Sequence, residues 1–256
     1  MWGAIVGDVV GSAYEGAGLK VTDFPLFTAR SRFTDDTVLT VAVADALLSD
    51  GDFRSRFVAY GKRHFEAGFS SRFRSWILSG GTEWKDSWGN GSAMRVSPVG
   101  WAFGSLEEVL EAARASAVVS HGHPEGIRGA QAVAASVFLA RTGVSKEDLA
   151  RFVESRFGYD LSRSLEVIRR DYRFSAAAAT SVPEALVAFL EATDFEDALR
   201  KAVSLGGDAD TQAAIAGAVA EAFYGAPPKP FVSRARSVLT ADLLAVVDAF
   251  TARYGP

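Results

Sequence analysis

Eight segments of this sequence have the spacing of amphipathic helices, and this pattern constrains the fold more than any other feature. Each segment is rich in Ala, Leu, Glu and Arg, and its apolar residues recur three and four positions apart. The predicted helices cover residues 38–48, 106–119, 126–141, 145–157, 182–192, 195–203, 211–224 and 241–254. Alternating strand patterns are hard to find, and the one Asn-Gly pair precedes SAMRV rather than a second strand. The sequence therefore predicts an all-α fold in a single domain spanning residues 1–256.

The ends of the predicted helices have residues that commonly start or stop a helix. The predicted starts are Thr34, Ser145 with Asp148, Ser181 ahead of Pro183, and Thr193 with Glu196 as a capping box. Glycines often follow the last turn of a helix, and they stand at positions 143, 206, 225 and 255.

Composition and charge exclude several classes of protein. With 48% hydrophobic and 23% charged residues, the chain resembles an ordinary globular protein, and its 256 residues can bury one large core. A net charge of -4 offers no basic surface, so we expect neither nucleic acid nor a membrane as partner. The absence of cysteine excludes disulfides and thiolate ligands, and it fits a cytoplasmic protein. Asp8 and Glu15 come too early in the sequence for a signal peptide. As for the oligomeric state, we expect a monomer.

Two predicted helix starts contain acidic residues that helix packing does not require. They are Thr34, Asp35 and Asp36 in TDDT, and Asp208, Asp210 and Thr211 in GGDADT. Consecutive residues of a helix point about 100° apart, so these side chains can converge only around the N-terminal end. Two such ends would supply an oxygen-only ligand set, which suits Mg²⁺, Mn²⁺ or Ca²⁺. The alternative is that each group simply caps its helix, since Asp and Thr are favoured there.

Five motifs together resemble the ADP-ribosylglycohydrolases, the family that includes dinitrogenase reductase-activating glycohydrolase and the ADP-ribosylhydrolases. The motifs are GDVVGSAYEG, TDDT, WGNGSAMRVSPVG, SHGHP and GGDADT, in the order typical of that family. The resemblance covers most of the chain, from about Gly3 to Gly225. It implies a compact orthogonal helical bundle around two divalent cations, Mg²⁺ or Mn²⁺. It also implies a hydrolase that removes ADP-ribose from a modified protein or a small ADP-ribosylated molecule.

The resemblance implies specific roles for the motif residues. Thr34, Asp35 and Asp36 with Asp210 would bind one metal ion, and Asp208, Asp210 and Thr211 the other. Glu15 would then be the first candidate for general acid or base, and Asp36 the second, because hydrolysis at an anomeric carbon needs a carboxyl group.

A glycine-containing loop that leads into a further predicted helix offers groups that can bind a diphosphate. The candidate substrate-binding residues here are Ser87, Trp88, Gly89, Asn90, Gly91 and Ser92. Backbone N–H groups in such a loop can hold phosphate, and Trp88 can stack on adenine. Without the other motifs, the same residues are a turn beside a core tryptophan.

The three histidines divide into one site candidate and two others. The resemblance makes His121 a neighbour of ribose or phosphate. The pair His121 and His123 also has a spacing that zinc sites use, but no third nitrogen or sulfur ligand is in view. His64 is expected to be a structural or surface residue.

Two other functions remain open from the sequence. A non-catalytic relative could keep the fold as a binding module or a structural protein, although such a role does not need five clustered carboxylates. A two-metal phosphohydrolase would instead release AMP from ADP-ribose, so the product distinguishes it from a glycohydrolase.

Overall fold

Apart from two isolated antiparallel bridges, all regular secondary structure in residues 1–82 and 86–255, which the computed structural model describes, is helical. In order, the helices are α1 (Trp2–Gly11), α2 (Asp35–Leu48), α3 (Phe53–Arg63), α4 (Ser71–Leu78), α5 (Gly91–Met94), α6 (Ser97–Ala102), α7 (Leu106–Val118), α8 (Pro124–Arg141), α9 (Lys146–Phe157), α10 (Leu165–Asp171), α11 (Ala178–Leu190), α12 (Phe195–Val203), α13 (Ala209–Tyr224), α14 (Lys229–Arg236) and α15 (Ala241–Tyr254). The all-α prediction is confirmed. Among these helices, none combines the length and the apolar character needed to cross a bilayer.

All eight predicted helices are present, and the sequence missed mainly short or uniformly apolar ones. The helix α1 is buried over its whole length, so it has no polar face and shows no amphipathic spacing. The helices α4, α6, α10 and α14 have at most eight residues each, too few for a clear period. The predicted caps at Thr34 and Ser145 are confirmed, since their side chains accept the N–H of Asp36 and Asp148.

The close contact between α1 and α13 positions the acidic residues of both helices. A Cβ added at Gly3 would lie 2.1 Å from the Gly217 carbonyl oxygen, and one at Gly7 would lie 2.1 Å from that of Ala213. A Cβ at Gly11 would lie 2.3 Å from the carbonyl oxygen of Ala209. The two backbones therefore touch directly, and α13 is buried from Ala209 to Ala222.

The start of α11 differs from the prediction based on Ser181. The helix begins at Ala178, Pro183 lies inside it, and the Ser181 hydroxyl donates to the carbonyl oxygen of Ala177. The preceding segment pairs with the loop at Gly89, and the Ala178 N–H donates to the carbonyl oxygen of Trp88. This pairing keeps Ala177 extended and sets the helix start directly after it.

The start of α12 lies one residue beyond the predicted capping box. Asp194, not Thr193, is the N-cap and accepts the N–H of Asp197, whereas Glu196 pairs with Arg200. The Asp197 carboxylate accepts the N–H of Thr193 in return. The predicted capping box is therefore wrong, and the N-cap lies one residue later than predicted. The reason is that Asp194, directly after Thr193, is itself a good N-cap residue.

Candidate active site

The N-termini of α2 and α13 open into one cavity of about 540 Å³. Thr34 is the N-cap of α2, and Asp208 is the N-cap of α13. The cavity wall includes both predicted acidic groups: Thr34, Asp35, Asp36, Asp208, Asp210 and Thr211. Helix N-termini have a partial positive charge, which favours carboxylates at these positions. Two groups far apart in the sequence thus meet at one site.

Carboxylate oxygens in and behind this wall form two clusters that share Asp210. Oxygens of Asp8, Asp36 and Asp210 lie within 4.8 Å of one another, and so do oxygens of Glu15, Asp208 and Asp210. Oxygens at these separations can bind a common hard cation. The two clusters could therefore hold metal ions, with Asp210 next to both.

Asp8 is an acidic residue of this site that the sequence analysis did not single out. It is fully buried on α1. Its Oδ1 accepts the Thr34 hydroxyl at 2.7 Å, and its Oδ2 accepts the N–H groups of Thr34 and Thr37 at 2.9 and 3.2 Å and the Thr37 hydroxyl. These bonds attach the start of α2 to α1. The signal was a lone carboxylate in the apolar stretch IVGDVV, since a buried charge needs partners.

Burial raises the pKa of several carboxyl groups at the cavity. Desolvation, followed by the charge of Asp8, raises the pKa of Asp35 to about 8. The pKa of Asp36 lies well above its ordinary value for the same two reasons, and burial with the charge of Asp36 does the same for Asp210. Asp36 Oδ1 is buried, and the described residues give it no hydrogen-bond partner. A divalent cation would neutralise these charges and pair this oxygen, so the donor set fits Mg²⁺ or Mn²⁺.

Glu15 follows α1 and reaches the cavity from its solvent side. Desolvation and then the negative charge of Asp208 raise its pKa, whereas the Arg32 guanidinium opposes the shift. A raised pKa favours the protonated form that a general acid needs.

The loop before α5 forms the opposite part of the cavity wall. The side chain of Asn90 donates to Asp208 Oδ2 at 2.7 Å, so Asn90 orients an acidic residue of the second cluster. The N–H of Asn90 donates to the Ala176 carbonyl oxygen, and that of Gly89 to Ser87 Oγ. These two N–H groups already donate within the protein. Fewer N–H groups of this loop than expected are therefore available to bind phosphate.

Five of the six loop candidates line the cavity, and Ser92 does not. The lining residues are Ser87, Trp88, Gly89, Asn90 and Gly91. Ser92 is fully buried, and its hydroxyl donates to the Gly126 carbonyl oxygen at 2.7 Å. Its side chain thus holds α5 against α8 rather than facing the cavity.

The three histidines have different environments. His121 is buried on the cavity wall, with Nδ1 2.8 Å from the Ser120 hydroxyl. His123 is the N-cap of α8, and its Nδ1 accepts the N–H of Glu125. His64 Nε2 lies 3.1 Å from a carboxylate oxygen of Asp242, away from the cavity. Only His121 thus belongs to the site.

Two aromatic side chains stand on the cavity wall with large exposed surfaces. Trp88 is 52% exposed and Phe174 is 54% exposed. An aromatic ring that is open to solvent at a cavity can stack on the flat face of a ligand.

The glycines ahead of Asp208 allow a tight turn into the site. Gly206 has a φ of 69°, and an added Cβ would lie 2.7 Å from the Leu19 carbonyl oxygen. A Cβ at Gly207 would lie 2.4 Å from a ring carbon of Tyr172. Larger residues at either position would displace the start of α13 and the carboxylates on it.

Comparison with known proteins identifies relatives over nearly the whole chain. Residues 1–254 match the family described as ADP-ribosylglycohydrolase. The mouse ADP-ribosylhydrolase ARH3 is 28% identical, with 89% of this chain and 83% of that protein covered. The ADP-ribosylarginine hydrolase Tri1 of Pseudomonas putida is also 28% identical, with coverage of 89% and 70%.

An archaeal relative and a solved structure extend this comparison. An uncharacterized protein of Archaeoglobus fulgidus is 32% identical, with 85% of this chain and 84% of that protein covered. A solved ADP-ribosylglycohydrolase-related protein complex is 28% identical and superposes with a TM-score of 0.74, covering 99% of this chain and 95% of that one. The helical architecture and the motifs agree with these matches. The chain belongs to the ADP-ribosylglycohydrolase family.

Proposed function

We propose that this protein is a divalent-metal-dependent hydrolase that cleaves the glycosidic bond between ADP-ribose and a modified side chain or small molecule. The observation that carries the proposal is the pair of carboxylate clusters that share Asp210 beside an open cavity. Family membership supports the reaction class, because the matched family is named for this hydrolysis.

The ligands that we propose for the cations come from both helix N-termini. They are Thr34, Asp35, Asp36 and Asp210 for one ion, and Asp208, Asp210 and Thr211 for the other. Asp8 is not among them, because both of its oxygens already accept hydrogen bonds from Thr34 and Thr37. Two bound Mg²⁺ or Mn²⁺ ions would supply a template for the ribose diol and polarise a water molecule.

Glu15 is the residue that we assign to proton transfer at the scissile bond. Glu15 is exposed at the cavity, whereas Asp36 is buried among other carboxylates with an unpaired oxygen. Burial suits Asp36 better to metal binding than to exchange of protons with substrate and water. Glu15 therefore protonates the leaving group or activates water at the anomeric carbon, and Asp36 remains the second candidate.

The remaining candidates bind the ADP part of the substrate. Ser87, Gly89 and Gly91 with His121 face the cavity where the diphosphate would lie, and Trp88 stacks on adenine. Asn90 acts through Asp208, which its side chain orients. Ser92 makes no direct contact with substrate, because its hydroxyl is already donated to Gly126.

The leaving group has to be identified by direct assay, because the names of two relatives differ in the substrate that they state. One is an ADP-ribosylarginine hydrolase and the other an ADP-ribosylhydrolase without a stated residue. Peptides ADP-ribosylated on arginine or on serine are incubated with the protein, with and without Mg²⁺ or Mn²⁺. The products are identified by mass spectrometry. We expect free ADP-ribose from at least one peptide, and only with a divalent cation.

Matched variants test whether the two acidic helix N-termini form the site of hydrolysis. Asp35→Ala and Asp36→Ala remove proposed ligands and should abolish release, whereas Asp23→Asn changes an exposed loop aspartate and should not. Release of AMP from ADP-ribose would instead support the phosphohydrolase. Binding of ADP-ribose without release from any ADP-ribosylated substrate would support a binding module. Full activity of the Asp36→Ala variant would contradict the metal assignment.

A further inference from the structure

Arg95 is a buried cation behind the loop that lines the cavity. It follows α5, has no exposed surface, and its guanidinium lies 4.1 Å from the centre of the Phe57 ring. Nη2 donates to the Ser116 carbonyl oxygen at 2.9 Å and to Ser120 Oγ at 3.0 Å. Among the described residues, no carboxylate pairs with Arg95, and its Nε and Nη1 have no hydrogen-bond partner. Ser120 is therefore the one side chain that this buried guanidinium orients by a hydrogen bond.

The hydrogen bond from Arg95 fixes the direction of the Ser120 hydroxyl proton. A guanidinium has only donors, so Ser120 Oγ must accept from Arg95 and cannot donate to it. Ser120 is fully buried, and in the described chain the other hydrogen-bond partner of Oγ is His121 Nδ1, at 2.8 Å. If Nδ1 donated to Oγ instead, the buried hydroxyl proton would have no acceptor among the described residues, so the hydroxyl donates to Nδ1.

The bond from Ser120 in turn decides which nitrogen of His121 has the proton. A neutral imidazole has one donor and one acceptor nitrogen, so an acceptor at Nδ1 puts the proton on Nε2. Burial, with a smaller contribution from the Arg95 charge, holds the pKa of His121 well below its ordinary value, so the ring is neutral. The two hydrogen bonds from Arg95 to Ser120 and from Ser120 to His121, called the relay below, thus produce a neutral ring with its N–H at Nε2.

The Nε2 atom faces the glycine loop on the cavity wall. A Cβ added at Gly91 would lie 2.9 Å from Nε2, and one at Gly89 would lie 3.8 Å from it. Gly91 is helical and has no positive φ, so its backbone conformation does not require glycine. Its lack of a side chain instead leaves room beside Nε2. Within the described part of the chain, Nε2 has no hydrogen-bond partner, since the contact of His121 with Ser120 is made through Nδ1. An N–H donor is therefore left for a ligand.

We infer that Arg95 and Ser120 are positioning residues that fix His121 as its Nε2–H tautomer, so that His121 donates a hydrogen bond to the diphosphate of ADP-ribose. This inference rests on the proposed function, which supplies the anionic ligand. The opposite tautomer would present a lone pair to phosphate oxygens, and the two acceptors would repel each other. Hydrogen bonds to charged groups are stronger than those between neutral groups, so the choice of tautomer matters for affinity.

The tautomer can be measured directly because the protein has only three histidines. With ¹⁵N-labelled histidine, the ring proton Hδ2 couples to Nε2, and the nitrogen shifts show which nitrogen has the proton. We expect Nε2–H for His121 in the free protein. Ser120→Ala should produce a mixture that contains Nδ1–H. Ser116→Ala is the matched control, since Ser116 on α7 is also buried but its hydroxyl has no partner in the described chain.

Ligand binding tests whether the tautomer serves the diphosphate. For Ser120→Ala we expect affinity for ADP-ribose and for ADP to fall about tenfold, equivalent to about 1.4 kcal/mol, and affinity for adenosine to stay unchanged. Ser116→Ala should leave all three affinities unchanged. A wild-type His121 with its proton on Nδ1, or a Ser120→Ala variant with unchanged tautomer and ADP affinity, would overturn the inference. An Nε2–H ring in a protein that binds neither ADP nor ADP-ribose would contradict the proposed function and the diphosphate role, while leaving the relay in place.

Discussion

The Thr34 hydroxyl donates a hydrogen bond to Asp8 Oδ1 over 2.7 Å, and the Thr34 N–H donates to the other oxygen of the same carboxylate. Because the hydroxyl proton is directed to Asp8 and one lone pair of Thr34 Oγ1 accepts the Asp36 N–H, the second lone pair stays available to a cation in the cavity. Asp8 also accepts from Thr37 one turn further along α2. A residue outside the proposed ligand set therefore orients the first helix N-terminus of the site.

Asp8→Asn tests this role of Asp8. An amide has only one acceptor oxygen, so its NH₂ group would face donors from Thr34 or Thr37 in a buried site. We expect the free energy of unfolding to fall by about 1–3 kcal/mol, as for other buried donors left without an acceptor. We also expect weaker binding of Mn²⁺. Chemical denaturation and a Mn²⁺ titration measure the two effects, with exposed Asp23→Asn as control. A variant as stable as the wild type would contradict the assignment.

Gly7→Ala tests the contact between α1 and α13. The new methyl group would lie 2.1 Å from the Ala213 carbonyl oxygen, so one helix has to move. Overpacking of this kind costs about 1–3 kcal/mol, more than the gain in helix propensity from Gly to Ala. Thermal melting should show a lower Tm and a smaller stabilisation by Mn²⁺, because Asp8 on α1 orients the proposed ligand Thr34 and a shift of α1 would move Thr34 relative to Asp210 on α13. Gly104→Ala is the control, since a Cβ there meets nothing within 4 Å. Equal losses in both variants would argue against the close contact as the cause.

The sequence predicted the parts of the fold and site that depend on local patterns. Runs of helix-forming residues, Ala above all, predicted α2 and α13 although both are largely buried, and the acidic residues at their starts made Asp36 and Asp210 site candidates. The same criterion failed for α1, because this buried helix consists mostly of Gly, Val and Ile rather than of strong helix formers. Asp8 was missed for another reason: its importance comes from hydrogen bonds with Thr34 and Thr37, which belong to another helix.

Long-range pairing also determines several details that local patterns cannot show. The start of α11 depends on the hydrogen bond from the Ala178 N–H to the Trp88 carbonyl oxygen, and these residues lie far apart in the sequence. The hydroxyl of Ser92 is donated to Gly126 on another helix, so its motif position alone did not show where its side chain points. Likewise, the tautomer of His121 depends on Arg95, whose position in SAMRVS gives no sign of burial.

The metal-free protein should lose stability as the pH rises from about 4 to about 8. In the folded state the pKa values of Asp35, Asp36 and Asp210 are raised, that of Asp35 to about 8, whereas unfolded aspartates titrate near 3.9. The folded state thus binds more protons than the unfolded state in this range, and this contribution to stability is lost as the pH increases. Thermal melts in a chelator should show a Tm several degrees lower at pH 8 than at pH 5.

Divalent cations should reverse this loss, because a ligand that binds only the folded state stabilises it. Saturating Mg²⁺ or Mn²⁺ should raise the Tm at pH 8 more than at pH 5, where protons compete for the ligands. Asp36→Asn removes one buried charge, so it should raise the Tm of the chelated protein at pH 8 and reduce the effect of the metal. Identical melting with and without chelator at pH 8 would contradict a metal site at these residues.

Trp88→Ala tests the proposed stacking on adenine. The ring is 52% exposed on the cavity wall, so its removal should cost contact with the ligand rather than core packing. Stacking of a base on an aromatic side chain is worth about 1–3 kcal/mol, so ADP-ribose should bind about 5- to 150-fold more weakly in titration calorimetry. Trp88→Phe keeps a π face and should retain most of the affinity, whereas Leu78→Ala, an exposed apolar residue outside the cavity wall, should have no effect. Unchanged affinity in Trp88→Ala, with the protein folded, would place adenine elsewhere.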